Sequence, residues 1–150
     1  MKNVFDEKDT SEIINRINKL ETGTQGLWGK MSVSQMLAHL NVAYEYFYEN
    51  KYKKSGFFKG LLLKWVIKPI VVGDKPYAKN SRTSPEFLMT DEKEFEKEKN
   101  RLIAYIDKTR ELGESYFDNR DSVSFGKLTV KEWNNMFYKH LNHHLDQFGV

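Results

Sequence analysis

"LTVKEWNNMFYKHLNHHLDQFG", residues 128–149, decides how this chain folds. Thr129 with Glu132 three residues later forms a capping box, in which two side chains satisfy backbone donors that a helix start leaves orphaned. Trp133, Phe137 and Leu141 then recur at helical spacing, and Gly149 stands where a helix ends. The spacing predicts one helix up to Phe148. This stretch also holds three of the four histidines in the chain. Each residue of an α-helix advances about 100°, so His140 and His144 differ by about 40° and stack one turn apart. They share the side of Trp133, Phe137 and Leu141 and face the interior. His143 is offset about 60° from His140 and about 100° from His144, which assigns it to the flank.

Working outward, the fourth histidine, His39, lies in "QMLAHL". Ser32 and Gln35 make a second capping box, and Val33, Met36, Leu37, Leu40, Ala43, Tyr44 and Phe47 carry an apolar stripe to about Tyr48. His39 sits near that stripe. A first helix is predicted from about Thr10 to Leu20, on Ile13, Ile14, Ile17 and Leu20, before the glycines of "ETGTQGLWG". A third long helix is predicted from near Asp91, with Asp91 and Glu94 as cap, through Phe95, Leu102, Ile103, Ile106 and Leu112 to a stop at Gly113. No stretch alternates as a strand should. The pattern predicts an all-α fold, an antiparallel four-helix bundle, in a single domain spanning residues 1–150.

The centre, residues 49–90, reads differently. "FFKGLLLKWVIKPIVVG" (57–73) is apolar with three lysines and one proline. It is too short and too charged for a membrane span. A short extra helix before Pro69, packed on the bundle or against a second subunit in a homodimer, is the expectation. A membrane-surface contact through Trp65 and the lysines is the lesser alternative. "GDKPYAKNSRTSPEF" (73–87) reads as a long loop of the kind that borders functional sites.

Hydrophobic residues at 39% and charged residues at 30% suit a globular chain. The formal charge is 24 − 21 = +3, and the lysines are scattered rather than striped, so no nucleic-acid partner is expected. There are no cysteines, which removes disulfides and thiolate ligands. "MKNVFDEKDTSE" has no apolar signal core, so a cytoplasmic location is expected.

Two readings of the histidines stand side by side. In one, His39, His140 and His144 meet in the core and hold a divalent ion, zinc or nickel, with an open fourth position, the pattern of catalytic rather than structural sites. An open position lowers the pKa of a bound water or thiol, and any thiol must come from outside the chain. Gln35, Asp146 and Gln147 are the candidate partners for the outer ring nitrogens. No glutamate adjoins the pair, so hydrolysis with a dedicated carboxylate base is unsupported, and no catalytic residue beyond the metal ligands is assigned. Imidazoles of ordinary pKa, about 6.5, would make metal binding weaken as pH falls from about 7 toward 5. In the other reading, the histidines form a hydrogen-bonded core cluster.

"LWGKMSVSQMLAHL" (27–40) and "FGKLTVKEWNNMFYKHLNHHLDQFG" (125–149) resemble the DinB-like superfamily, and within it a branch of unknown function with an HLxHHLxQFG ending. The likeness is dense over residues 16–47 and 124–149. It implies a four-helix bundle binding a divalent metal through one histidine of the second helix and two of the last, which here are His39, His140 and His144. It implies a metal-dependent transferase or hydrolase, with a low-molecular-weight thiol as one possible cosubstrate and an unknown small molecule as substrate. The alternative is a non-catalytic metal-binding or stress-response module of the same fold. No membrane partner is expected.

Overall fold

The structure, a computed structural model, describes residues 1–49, 51 and 57–150, with the backbone alone for residues 57–59. The described residues are mostly helical. Helix α1 spans Glu7–Asn18, α2 Val33–Tyr48, α3 Phe57–Leu62, α4 Lys68–Val72, α5 Phe95–Phe117 and α6 Val130–Gln147. A π-helical turn, Leu63–Ile67, joins α3 to α4, and a 3-10 turn, Pro85–Phe87, interrupts the long central loop. One small antiparallel sheet pairs β1 (Arg120–Ser122) with β2 (Gly126–Leu128), with Asp121 opposite Lys127.

Both capping boxes form. Ser32 accepts from the Gln35 backbone while the Gln35 side chain accepts from Ser32 N–H, and Thr129 and Glu132 do the same for α6. The other boundaries differ from the expectation. Helix α1 starts three residues before Thr10 because Asp6 accepts from Asp9 N–H at 3.0 Å. Helix α5 starts at Phe95, not near Asp91: no side chain caps it, and the Asp91 carbonyl accepts from Gln35 Nε2. Gly113 is no stop. It kinks α5 with φ +69°, a conformation that costs glycine little, and one further turn carries Phe117 into the core.

The four long helices share that core. Ile13 and Ile17 of α1, Met36, Leu37, Leu40 and Tyr44 of α2, Leu102 and Ile106 of α5, and Trp133, Phe137, Leu141 and Leu145 of α6 are all buried in it. Between α2 and α5, buried Asn41 donates to Glu98 Oε2 at 2.8 Å, and Arg101 pairs with the buried carboxylate of Glu45. This polar set fixes the register of α2 along α5, and so the depth of His39 on α2.

The central segment departs most from expectation. The helix runs through Pro69 rather than ending before it. A proline ring clashes with the carbonyl four residues back, and the wider π-helical turn just upstream makes room for it. Among the described residues of the segment, packing on the core is confined to Val71 and Val72. Lys139 of α6 holds this end, donating to the Ile70 carbonyl at 2.7 Å and the Gly73 carbonyl at 2.6 Å, while Asn135 Nδ2 donates to the Val72 carbonyl at 2.8 Å. Leu61, Leu62, Trp65, Val66 and Ile70 point outward, contrary to the expectation of packing on the bundle, the first of the two partners expected for this segment. The side chains of Phe57 and Phe58, also counted in that face, lie outside the described residues, as do residues 50 and 52–56 of the same central region. Among the described residues no helix is long and apolar enough to cross a membrane.

Candidate metal centre

His39 lies on α2 beside the apolar stripe, between buried Ala38 and Leu40 in sequence, and is 5% exposed. His140 and His144 face it from α6; His144 is 7% exposed, and His140 keeps part of its surface open. Ring centroids are 4.8 Å apart for His39 and His140, 4.6 Å for His39 and His144, and 5.0 Å for His140 and His144. One ring nitrogen from each lies within 4.8 Å of the other two. The structure therefore brings together the three histidines that helical spacing selected. His143 is not among them. It lies edge-on to Trp28 at 5.9 Å and Tyr77 at 5.8 Å, on the flank.

The surroundings decide which nitrogens point inward. His39 Nδ1 is 2.8 Å from the Phe87 carbonyl, which can only accept, so Nδ1 carries the proton and Nε2 keeps its lone pair. Gln147 Nε2 donates to the Trp28 carbonyl at 2.6 Å, which fixes that amide with Oε1 turned toward His144 Nδ1 at 2.7 Å. His144 Nδ1 is then the donor, and its Nε2 keeps a lone pair too. His140 Nε2 stands 2.8 Å from His39 Nε2 and supplies the proton of that contact. Shifting this proton to Nδ1 leaves three imidazole lone pairs facing one point, with both outer nitrogens of His39 and His144 already held. Oriented imidazoles of this kind are the usual form of metal-ligating histidine.

Of the partners named from sequence, only Gln147 takes that role. Gln35 is spent on its capping box and on Asp91, and Asp146 binds Arg16 at 2.7 Å and Asn142 at 2.9 Å. Phe87 was invisible to sequence reading because a main-chain carbonyl has no residue signature. The 3-10 turn begun by Pro85 delivers it, and the Phe87 ring also closes over His39 at 5.4 Å and His140 at 5.8 Å.

The "LWG" lead and the end of α6 meet at Gln147. Leu27 N–H donates to the Gln147 carbonyl at 2.7 Å, and a Cβ built on Gly29 would stand 2.4 Å from Gln147 Nε2. Gly29 also has φ +82°. Gly29→Ala should therefore push Gln147 off His144, and Gln147→Leu should remove the contact outright. Both are expected to weaken zinc binding by about 10–100-fold, as loss of a ligand's outer partner does. Isothermal titration of the two variants checks this; affinities equal to wild type would show that Gln147 does not support His144.

Burial holds all three imidazoles neutral. It pushes His39 below its ordinary pKa, against the pull of the Phe87 carbonyl. Burial, with His39 and His144 as neighbours, drives His140 well below 6.5, and burial with His39 drives His144 down to about 3. This revises the expected pH response. Protons therefore compete for these nitrogens less than they would for free imidazoles, so zinc affinity should fall less steeply between pH 7 and 5 than three ordinary imidazoles would make it. Stability behaves otherwise. The unfolded chain takes up protons near pH 6.5 while the folded chain does not, so stability is full above about 6.5 and declines as pH falls. Each affected histidine contributes up to about 1.4 kcal/mol per pH unit below that point. Thermal melts of metal-free protein at pH 7 and pH 5 should show the lower midpoint at pH 5. A midpoint unchanged or higher at pH 5 would contradict the burial argument.

A family model described as "Protein of unknown function (DUF1569)" matches residues 2–149. No curated protein and no solved structure matches the chain.

Proposed function

The chain belongs to that family, and from this premise we propose that it is a divalent-metal-dependent enzyme with the DinB-like four-helix bundle, one ion per chain held by His39, His140 and His144. The observation that carries the reading is the convergence of three imidazoles, two of which, His39 and His144, have their outer nitrogens fixed by Phe87 and Gln147. The donors suit zinc or nickel: all nitrogen, all neutral, with no thiolate in the chain. An ion bound there would supply Lewis acidity to a fourth, non-protein ligand.

The chain's own residues define what such a ligand meets. Among the described residues the cluster contains no carboxylate, so no side chain in it serves as a dedicated base. That favours a substrate which arrives as the nucleophile over hydrolysis. A low-molecular-weight thiol transferring to a small electrophile fits best. The Phe87 ring stands edge-on against His39 and His140 and covers that side of the cluster.

Cobalt(II) loading tests this reading. Adding a small thiol to the cobalt protein should produce a sulfur-to-cobalt charge-transfer band, and oxygen analogues of the thiol should not. Cobalt that binds while the thiol leaves the spectrum unchanged would remove the thiol-dependent reading. A second reading, a non-catalytic cluster, draws on the 2.8 Å contact between His39 and His140, which closes without an ion. Failure of the chain to bind zinc, nickel or cobalt would favour it.

A further inference from the structure

Eight large hydrophobic side chains stand exposed among the described residues, and five of them fall within ten positions: Leu61, Leu62, Trp65, Val66 and Ile70. Trp65 is 72% exposed. With Pro69 they form pairs at four-residue intervals, Leu61–Leu62, Trp65–Val66 and Pro69–Ile70. Four residues of α-helix turn about 400°, so such pairs would drift about 40° at each step. The π-helical turn Leu63–Ile67 holds an extra residue per hydrogen-bonded ring and takes up this drift. The pairs thus keep one outward ridge. Val72 is buried and Val71 packs against the core, with Leu63 and Ile67 less exposed than the ridge, so the inner side of this segment is anchored at its α4 end. The ridge is not unfinished core.

Charge identifies what covers it. Residues 57–73 contain Lys59, Lys64 and Lys68 and no acidic residue. Setting these three aside leaves 24 − 3 = 21 basic against 21 acidic residues, so this stretch carries the whole formal excess of +3. Lys68 is partly neutralised by Glu132 at 2.9 Å, whereas Lys64 is exposed beside the apolar pairs. A helix lying in a bilayer interface has this composition: apolar residues and tryptophan on the buried side, lysines at its border.

We propose that the ridge Leu61–Ile70 docks this protein on an anionic lipid surface, the apolar pairs entering the headgroup boundary and the exposed Lys64 beside them meeting lipid phosphates and carboxylates. This takes up the membrane-surface contact that the sequence offered as the lesser alternative to packing on the bundle or on a second subunit. It is independent of the metal site.

Sedimentation with vesicles tests it. The full chain should pellet with phosphatidylcholine vesicles containing about one third phosphatidylserine, should not pellet with pure phosphatidylcholine, and should be released by added salt. Lys64→Ala should weaken binding by about fivefold. Trp65→Glu should abolish it while leaving the thermal midpoint and zinc binding unchanged, because Trp65 is exposed and outside the core. Wild type remaining in the supernatant with anionic vesicles at low salt would overturn the proposal. So would equal binding by Trp65→Glu. A dimer seen by light scattering that Trp65→Glu dissolves would assign the ridge to a second copy, and retention on polyglutamate without vesicle binding would assign it to an acidic protein; either overturns the lipid assignment.

Discussion

Replacing His140 with alanine is expected to lower zinc affinity by more than about a hundredfold, exceeding the about 10–100-fold loss typical of an outer partner, because it removes one of three ligands. His140 is the cleanest position to change. Its only hydrogen-bond partner among the described residues is His39, whereas His39→Ala would strand the Phe87 carbonyl and His144→Ala would strand Gln147. Metal at a hundred times its dissociation constant stabilises the fold by about 2.7 kcal/mol. For a chain of this size that is a rise of about 5–10 °C in the thermal midpoint. Wild type and His143→Ala should both show the rise, and His140→Ala should not. Equal shifts in all three would mean that the ion sits elsewhere. Loss in His143→Ala with retention in His140→Ala would mean that α6 is phased wrongly in this account.

Phe137→Ala should produce the largest loss of stability. Phe137 is fully buried, stacked at 4.7 Å on Tyr44 and packed against Trp133 at 5.6 Å and Phe117 at 6.1 Å. Truncating such a side chain costs about 3–5 kcal/mol, from lost transfer energy and the cavity left behind. The midpoint of metal-free protein should fall by about 6–20 °C. Phe137 touches none of the three histidines by ring contact, so zinc should still bind the folded variant and recover part of the loss. Calorimetry with and without zinc checks both statements. A metal-free midpoint within about 2 °C of wild type would show that the aromatic stack is not the centre of the core, because so small a shift corresponds to about 1 kcal/mol or less.

The two ends of the chain were legible because their signals are local. Ser32–Gln35 and Thr129–Glu132 announce helix starts within four residues, and the apolar stripes after them fix which side His39, His140 and His144 face. What stayed hidden depends on backbone or on long-range fit. The hairpin Arg120–Leu128 has three-residue strands, too short for any alternation to register. Gly113 reads as a stop by residue type, but the core recruits Phe117 and the chain resumes helix beyond the kink. In the central segment, hydrophobicity predicted burial at Leu61, Leu62 and Trp65, while among the described residues of 57–73 the structure buries only Val72 and half-buries its neighbours. Composition alone does not separate a core-facing row from one that faces outward. At the site itself, the ligand side chains were readable, the Gln147 support was one of three candidates, and the Phe87 carbonyl had no signal.

The central claim is that one ion is held by three imidazoles. X-ray absorption at the zinc edge, on protein purified without an affinity tag and loaded with one equivalent of zinc, tests it most directly. The account predicts three imidazole nitrogens at about 2.0–2.1 Å and one further light-atom ligand from outside the chain. A spectrum of fully hydrated zinc, or one fitted by fewer than three imidazoles, would contradict it.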